Sequence, residues 1–243
     1  MTPEPGQNPA VAPAQFGGRA IGAVLFDLDG TLLDTAGDIA LALNRAVAEF
    51  DWPPVALSDV RQFIGAGGAI LVDRAAALQG RTLSPAVRSA IIQRFFHHYG
   101  ALGESGEYTA DPYPGTMDAL RDLHAAGVRI AVVTNKLHRF SINVLQLRGF
   151  MDWVDCVVGG DTCKRRKPDP QPLLYACDRL GVLPRAALMV GDSINDAQAA
   201  RAAGIAVVCV SYGYNEGNDP KSLPCDQLID SLEILPSMLL MKD

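Results

Sequence analysis

The chain has 243 residues, 49% of them hydrophobic and 20% charged, with a formal net charge of −6 and a pI near 5.2. This composition fits a globular protein with enough chain for a large core or a core plus a smaller unit. The acidity argues against a nucleic-acid binder, which carries a basic face, and no apolar run approaches the ~20 residues that span a bilayer.

Met1 to Gly18 is rich in Pro, Ala, Gly and Gln and lacks a basic or apolar leader segment, so a flexible tail is expected over 1–18. Next, Val24, Leu25, Phe26 and Leu28 read as a strand buried on both faces, because apolar residues do not alternate with polar ones. That strand ends in Asp27, Asp29, Gly30 and Thr31. Its C-terminal edge is where ligands bind in open α/β sheets, and two carboxylates so close repel unless a cation, a shared proton or water relieves them.

From Asp38 to Phe50 the spacing is helical, and Trp52-Pro53-Pro54 breaks it. The glycine-rich FIGAGG turn leads into a further helix, and Ser84-Pro85 opens another that runs towards Tyr99. From Tyr113 onwards helices and strands alternate: helix 115–126, strand 128–133, helix 137–148, strand 154–158, helix 170–180, strand 187–190, helix 195–203 and strand 205–210, with 228–240 weakly helical. The expected architecture is α/β: a Rossmann-like parallel sheet built from 19–35 and 111–243, with an all-helical cap, 36–110, inserted between them.

The five cysteines form no CxxC pair and suit reduced thiols in a cytoplasmic setting. His97, His98, His124 and His138 lack metal-ligand spacing, Ser193 lies in no GxSxG elbow, and Gly65 to Ile70 does not follow a strand as a dinucleotide fingerprint must.

FDLDGTLLDT resembles the first motif of the haloacid dehalogenase-like (HAD) hydrolases, and three later stretches match their other motifs: VVTNK with Thr134 and Asn135, KRRKPDP with Lys167, and GDSINDAQAARAAG with Asp192 and Asp196. The resemblance implies that Asp27 is the nucleophile and Asp29 the general acid/base. It implies that Thr134, Asn135 and Lys167 bind phosphate, and that Asp27, Asp192 and the main-chain carbonyl of Asp29 hold Mg²⁺. Asp196 would orient Lys167 or a metal-bound water, while Lys164, Arg165 and Arg166 are placed on the surface.

Taken together, FIGAGGAILVDRAA, PYPGT, VVTNK, VVGGD, KPDPQPLL and YGYNEG look like the bacterial phosphoglycolate phosphatases, which hydrolyse 2-phosphoglycolate with Mg²⁺. Glu216 departs from that pattern, since the family's closing turn usually has an uncharged aromatic before the glycine. Relatives with the same core act on sugar phosphates, as phosphatases or phosphomutases, or on pyrophosphate. The expected partner is a small phosphorylated metabolite, without nucleic acid or membrane, and the chain is left open as monomer or dimer. A substrate carboxylate would be met by main-chain N–H groups of Gly65 to Gly68, by Lys136 or by a cap arginine such as Arg61. Thr35 and Asp111 are the candidate cap hinges.

Overall fold

The computed structural model describes residues 14–240; most of the expected tail, 1–13, lies outside the described residues. The chain enters through a hairpin, β1 (Gln15–Phe16) and β2 (Arg19–Ala20), so regular pairing begins before residue 18. Then come the buried strand β3 (Ala23–Phe26) and the short β4 (Leu33–Asp34). Four helices follow: α1 (Ala36–Ala48), α2 (Leu57–Phe63), α3 (Gly68–Leu78) and α4 (Pro85–Glu104). The start of α4 is capped as the sequence predicts, with the Val87 N–H donating to Ser84 Oγ and Pro85 where a free N–H is not needed.

The chain returns through β5 (Asp111–Pro112), which pairs antiparallel with β4 and sets Asp34 opposite Asp111. Alternation follows: α5 (Thr116–Ala125), β6 (Arg129–Val133), α6 (His138–Leu147), β7 (Cys156–Val158), α7 (Gln171–Leu180), β8 (Ala187–Gly191), α8 (Ile194–Ala203) and β9 (Ala206–Val210). The segment expected to be weakly helical instead gives a strand, β10 (Gln227–Ile229), and only then a short helix, α9 (Leu235–Leu240). Three residues are too few to show a period; β10 is strand because it pairs with the open edge of β9.

The main sheet is parallel, in the order β10-β9-β8-β3-β6-β7. Chain order reverses beside β3, a topological switch point, so the crevice at the strands' C-terminal ends opens there. Val24 and Phe26 bury into one apolar layer and Ala23 and Leu25 into another, as a strand covered on both faces must. The first layer continues through Leu43, Val72, Ile91 and Phe95, joining the inserted helices to the sheet without a polar break. Among the described residues no helix is long and apolar enough to cross a membrane.

Candidate active site

Asp27 leaves the end of β3, where its main-chain N–H donates to Val190 O of the neighbouring strand at 2.9 Å. Around its carboxylate converge the ends of β6, the loop after β7 and the end of β8. Lys167, 2% exposed, reaches in from that loop and donates to Val133 O and to Asp196 Oδ1, both at 2.6 Å. Its Nζ also forms an ion pair with Asp27 Oδ1 at 3.0 Å, and this buried oxygen makes no hydrogen bond among the described residues.

The other oxygen of Asp196 accepts from Ser193 N at 3.0 Å, Ser193 Oγ at 2.7 Å and Asp192 N at 3.3 Å. Both of its oxygens are therefore occupied. It caps α8 and fixes Lys167 at once. Asp192 accepts from Thr31 Oγ1 at 2.9 Å on one oxygen and from the main-chain N–H groups of Tyr214 at 2.8 Å and Asn215 at 3.5 Å on the other, which leaves a lone pair free on the first. Gly30 makes this approach possible: its φ is +89°, and a Cβ there would sit 2.5 Å from Asp192 Oδ2.

Three buried carboxylates, Asp27, Asp192 and Asp196, bring ligand atoms within 4.8 Å of one another, and two of them, Asp27 and Asp196, contact the Lys167 ammonium. Burial raises the Asp27 carboxyl to about 7 even though Lys167 pulls it down, with Asp196 adding to the rise. Burial and the charges of Asp196 and Asp27 raise Asp192 to about 8. Burial alone would lower Lys167, yet Asp196 and Asp27 hold it above its ordinary value. Excess negative charge, hard oxygen donors and a buried Asp27 oxygen that makes no hydrogen bond fit a divalent cation. Because Asp196 is already saturated, Asp27 and Asp192 are the carboxylates with room for it.

Asp29 lies apart from this cluster. Its carboxylate accepts from Lys136 Nζ at 2.8 and 3.1 Å and from Thr35 Oγ1 at 2.7 Å, and that ammonium sits 4.4 Å above the Tyr99 ring. Lys136, expected as a free donor for substrate, is thus committed to Asp29, because VVTNK ends on the strand next to β3.

Thr134 Oγ1 accepts the Lys136 N–H at 3.2 Å, which frees its own proton to donate. The side-chain NH₂ of Asn135 is spent on Gly65 O at 2.9 Å and Lys167 O at 3.0 Å, so this amide ties the FIGAGG loop to the core. Asp27, Asp29, Thr134 and Asn135 open into a cavity of about 150 Å³ whose far wall is Phe63, Gly67, Phe95 and other residues of the inserted helices. Arg166, expected on the surface with its basic neighbours, is exposed but also lines this cavity.

Further side chains join the inserted helices to the sheet. Arg61 meets Asp34 at 2.6 Å and lies 5.5 Å over the Tyr214 ring. The Tyr214 hydroxyl accepts from the N–H groups of Thr35 and Ala36 and donates to Asp34. Glu216 takes Arg74 on one oxygen and Asn195 Nδ2 on the other, the latter at 2.7 Å. The departure noted in YGYNEG is therefore a charged tie to α3. Thr31 and Tyr214 act through contacts far along the chain; the only sequence signal for them is their place in the motif stretches.

Comparison with known proteins follows the same lines. Residues 24–210 match the haloacid dehalogenase-like hydrolase family. Proteins named phosphoglycolate phosphatase are similar over most of their length: that of Nitrosospira multiformis is 45% identical over 87% of this chain and 92% of its own, and that of Thiobacillus denitrificans is 41% identical with the same coverage. Among solved structures, a Haemophilus somnus protein described as a predicted phosphoglycolate phosphatase superposes with a TM-score of 0.83 at 31% identity, covering 90% of this chain and 97% of that one. CbbY of Rhodobacter sphaeroides, solved with phosphate, gives 0.75 at 26% identity, covering 88% and 96%.

Proposed function

Since the chain belongs to the haloacid dehalogenase-like hydrolases and, within them, to the phosphoglycolate phosphatase family, we propose that this phosphatase hydrolyses 2-phosphoglycolate to glycolate and phosphate through an aspartyl-phosphate. The observation that carries the reading is Asp27 in the lining of the cavity, one oxygen of its carboxylate making no hydrogen bond and ion-paired at 3.0 Å with a buried lysine.

In this reading Asp27 attacks phosphorus, an Asp27 O–P bond forms and the P–O bond to the glycolate oxygen breaks. Lys167 lowers the repulsion between the carboxylate and the phosphoryl oxygens, and Asp196 keeps its ammonium aimed there. The Thr134 hydroxyl and main-chain N–H groups of the same turn donate to phosphoryl oxygens. Asp29, positioned by Lys136 and Thr35, takes up a proton from solvent before the site closes and gives it to the leaving alkoxide. It then takes a proton from the water that attacks phosphorus, which restores Asp27. Mg²⁺, held by Asp27, Asp192 and the Asp29 main-chain carbonyl, would supply the remaining positive charge.

We assign 36–110 to a cap that excludes water from the reacting phosphorus, hinged where β4 and β5 pair Asp34 with Asp111. The cavity favours a small substrate. Beyond the charged residues, only Tyr99, Thr134 and Asn135 of its lining could hydrogen-bond sugar hydroxyls through a side chain, and phenylalanines make up much of the rest.

The test compares kcat/KM for 2-phosphoglycolate, ethyl phosphate and sugar phosphates. A preference for 2-phosphoglycolate over ethyl phosphate below tenfold, about 1.4 kcal/mol, would show that another ester is the substrate. Titration calorimetry with Mg²⁺ on the wild type and Asp192→Asn tests the metal site without reference to turnover.

A further inference from the structure

We propose that Arg166 is the specificity residue that reads the second anionic group of the substrate, the carboxylate of a small phosphorylated acid. The proposal rests on the substrate reading above and adds a residue to it. The cavity is lined by two cationic side chains, Lys136 and Arg166. Lys136 is bound to both oxygens of Asp29. Lys167, just beneath, is held by Asp196 and Val133 O beside Asp27.

Arg166 alone of these has no acidic partner among the described residues, whereas its exposed neighbour Arg165 is paired with Asp169 at 3.0 Å. An unpaired guanidinium on the wall of a site that takes an anion is available to that anion. Its planar fork also matches a carboxylate with two parallel hydrogen bonds.

Its position is built rather than incidental. The main chain at this point is fixed on both sides: Arg166 O accepts from Asp169 N at 2.9 Å, and Lys167 O accepts from Asn135 Nδ2 at 3.0 Å. Consecutive residues thus send one cation to the floor beside Asp27 and the next to the wall. Across the cavity Gly67, with φ +90°, leaves the space the guanidinium occupies; a Cβ there would lie 2.7 Å from Arg166 Nη1. A substrate whose phosphoryl group sits on Asp27 and Lys167 would carry an acid group on a short chain towards Arg166. An uncharged ester of the same size would leave the guanidinium without its partner.

The experiment measures kcat/KM for 2-phosphoglycolate and for ethyl phosphate in the wild type, Arg166→Gln and Arg166→Lys. The ratio of the two values in the wild type tests the substrate reading; its change in the variants tests Arg166. The expected result is a ratio above ten in the wild type that falls at least tenfold in Arg166→Gln, mainly through KM for 2-phosphoglycolate, and recovers in part in Arg166→Lys. A wild-type ratio above ten that survives in Arg166→Gln, or equal losses on both substrates, would overturn the role of Arg166 and leave the substrate reading intact. A wild-type ratio near one would overturn both.

Discussion

Replacing Asp196 with Asn keeps the shape of a fully buried side chain and removes its charge, so it probes the electrostatics of the floor directly. One oxygen holds the Lys167 ammonium at 2.6 Å; the other takes donors from Ser193 and Asp192. Asn has one acceptor oxygen, so in either orientation its NH₂ points at a donor: the ammonium on one side or the Ser193 and Asp192 groups on the other. Removing one member of a buried pair costs about 3–5 kcal/mol. Lys167 keeps Asp27 at 3.0 Å, which places the expected loss near the lower end, about 3 kcal/mol. For a chain of this size that lowers Tm by roughly 6–12 °C. Calorimetry of both proteins at one Mg²⁺ concentration checks this, with Asp118→Asn in the exposed Arg121 pair as a control expected to leave Tm unmoved. A drop of less than about 3 °C for Asp196→Asn, under ~1 kcal/mol by the same conversion, would refute the view that Asp196 is a structural anchor of the lysine.

Thr134→Val removes the hydroxyl proposed to donate to the phosphoryl group without opening a void; kcat should fall on the order of 10²-fold in steady-state assays, with Tm changed little. Glu216→Gln weakens the half-buried tie to Arg74, and its cost of about 1 kcal/mol should appear as a lower urea midpoint at constant slope. Asp34 carries a pH signature: burial would raise its carboxyl, but Arg61 and Tyr214 hold it below 3.8. A depressed folded value means the contribution is complete above about 3.8 and is lost as pH falls through the lower value. The Tm gap between wild type and Asp34→Asn should therefore stay constant from neutral pH down to about 5 and close progressively below it.

What was legible in the sequence is what sits at strand ends. Asp27, Thr134 and Asp192 each follow an apolar run, and a parallel sheet brings such ends to one edge whatever the intervening chain does. Less legible was what depends on reach. Lys136 reads as a free cation until β6 is set beside β3, where it falls on Asp29. Arg166 sits in a basic run whose usual fate is solvent, and only the fold brings the FIGAGG loop across from it. Tyr214 spans from the closing turn to the start of α1, and β10 exists only because β9 offers an edge. In each case the deciding neighbour is remote in the chain, so no local pattern could carry the signal.

In the proposed mechanism phosphorus is transferred to Asp27. Asp29→Asn should still accept the phosphoryl group from p-nitrophenyl phosphate, whose leaving group needs no proton, yet lack the base that activates water. With ³²P-labelled ester and Mg²⁺ this variant should release nitrophenolate in a burst stoichiometric with enzyme. After an acid quench the label should lie on the peptide bearing Asp27 and be removed by hydroxylamine. A steady release without a burst, with label absent from that peptide or equally present in the Asp27→Asn, Asp29→Asn double variant, would contradict it.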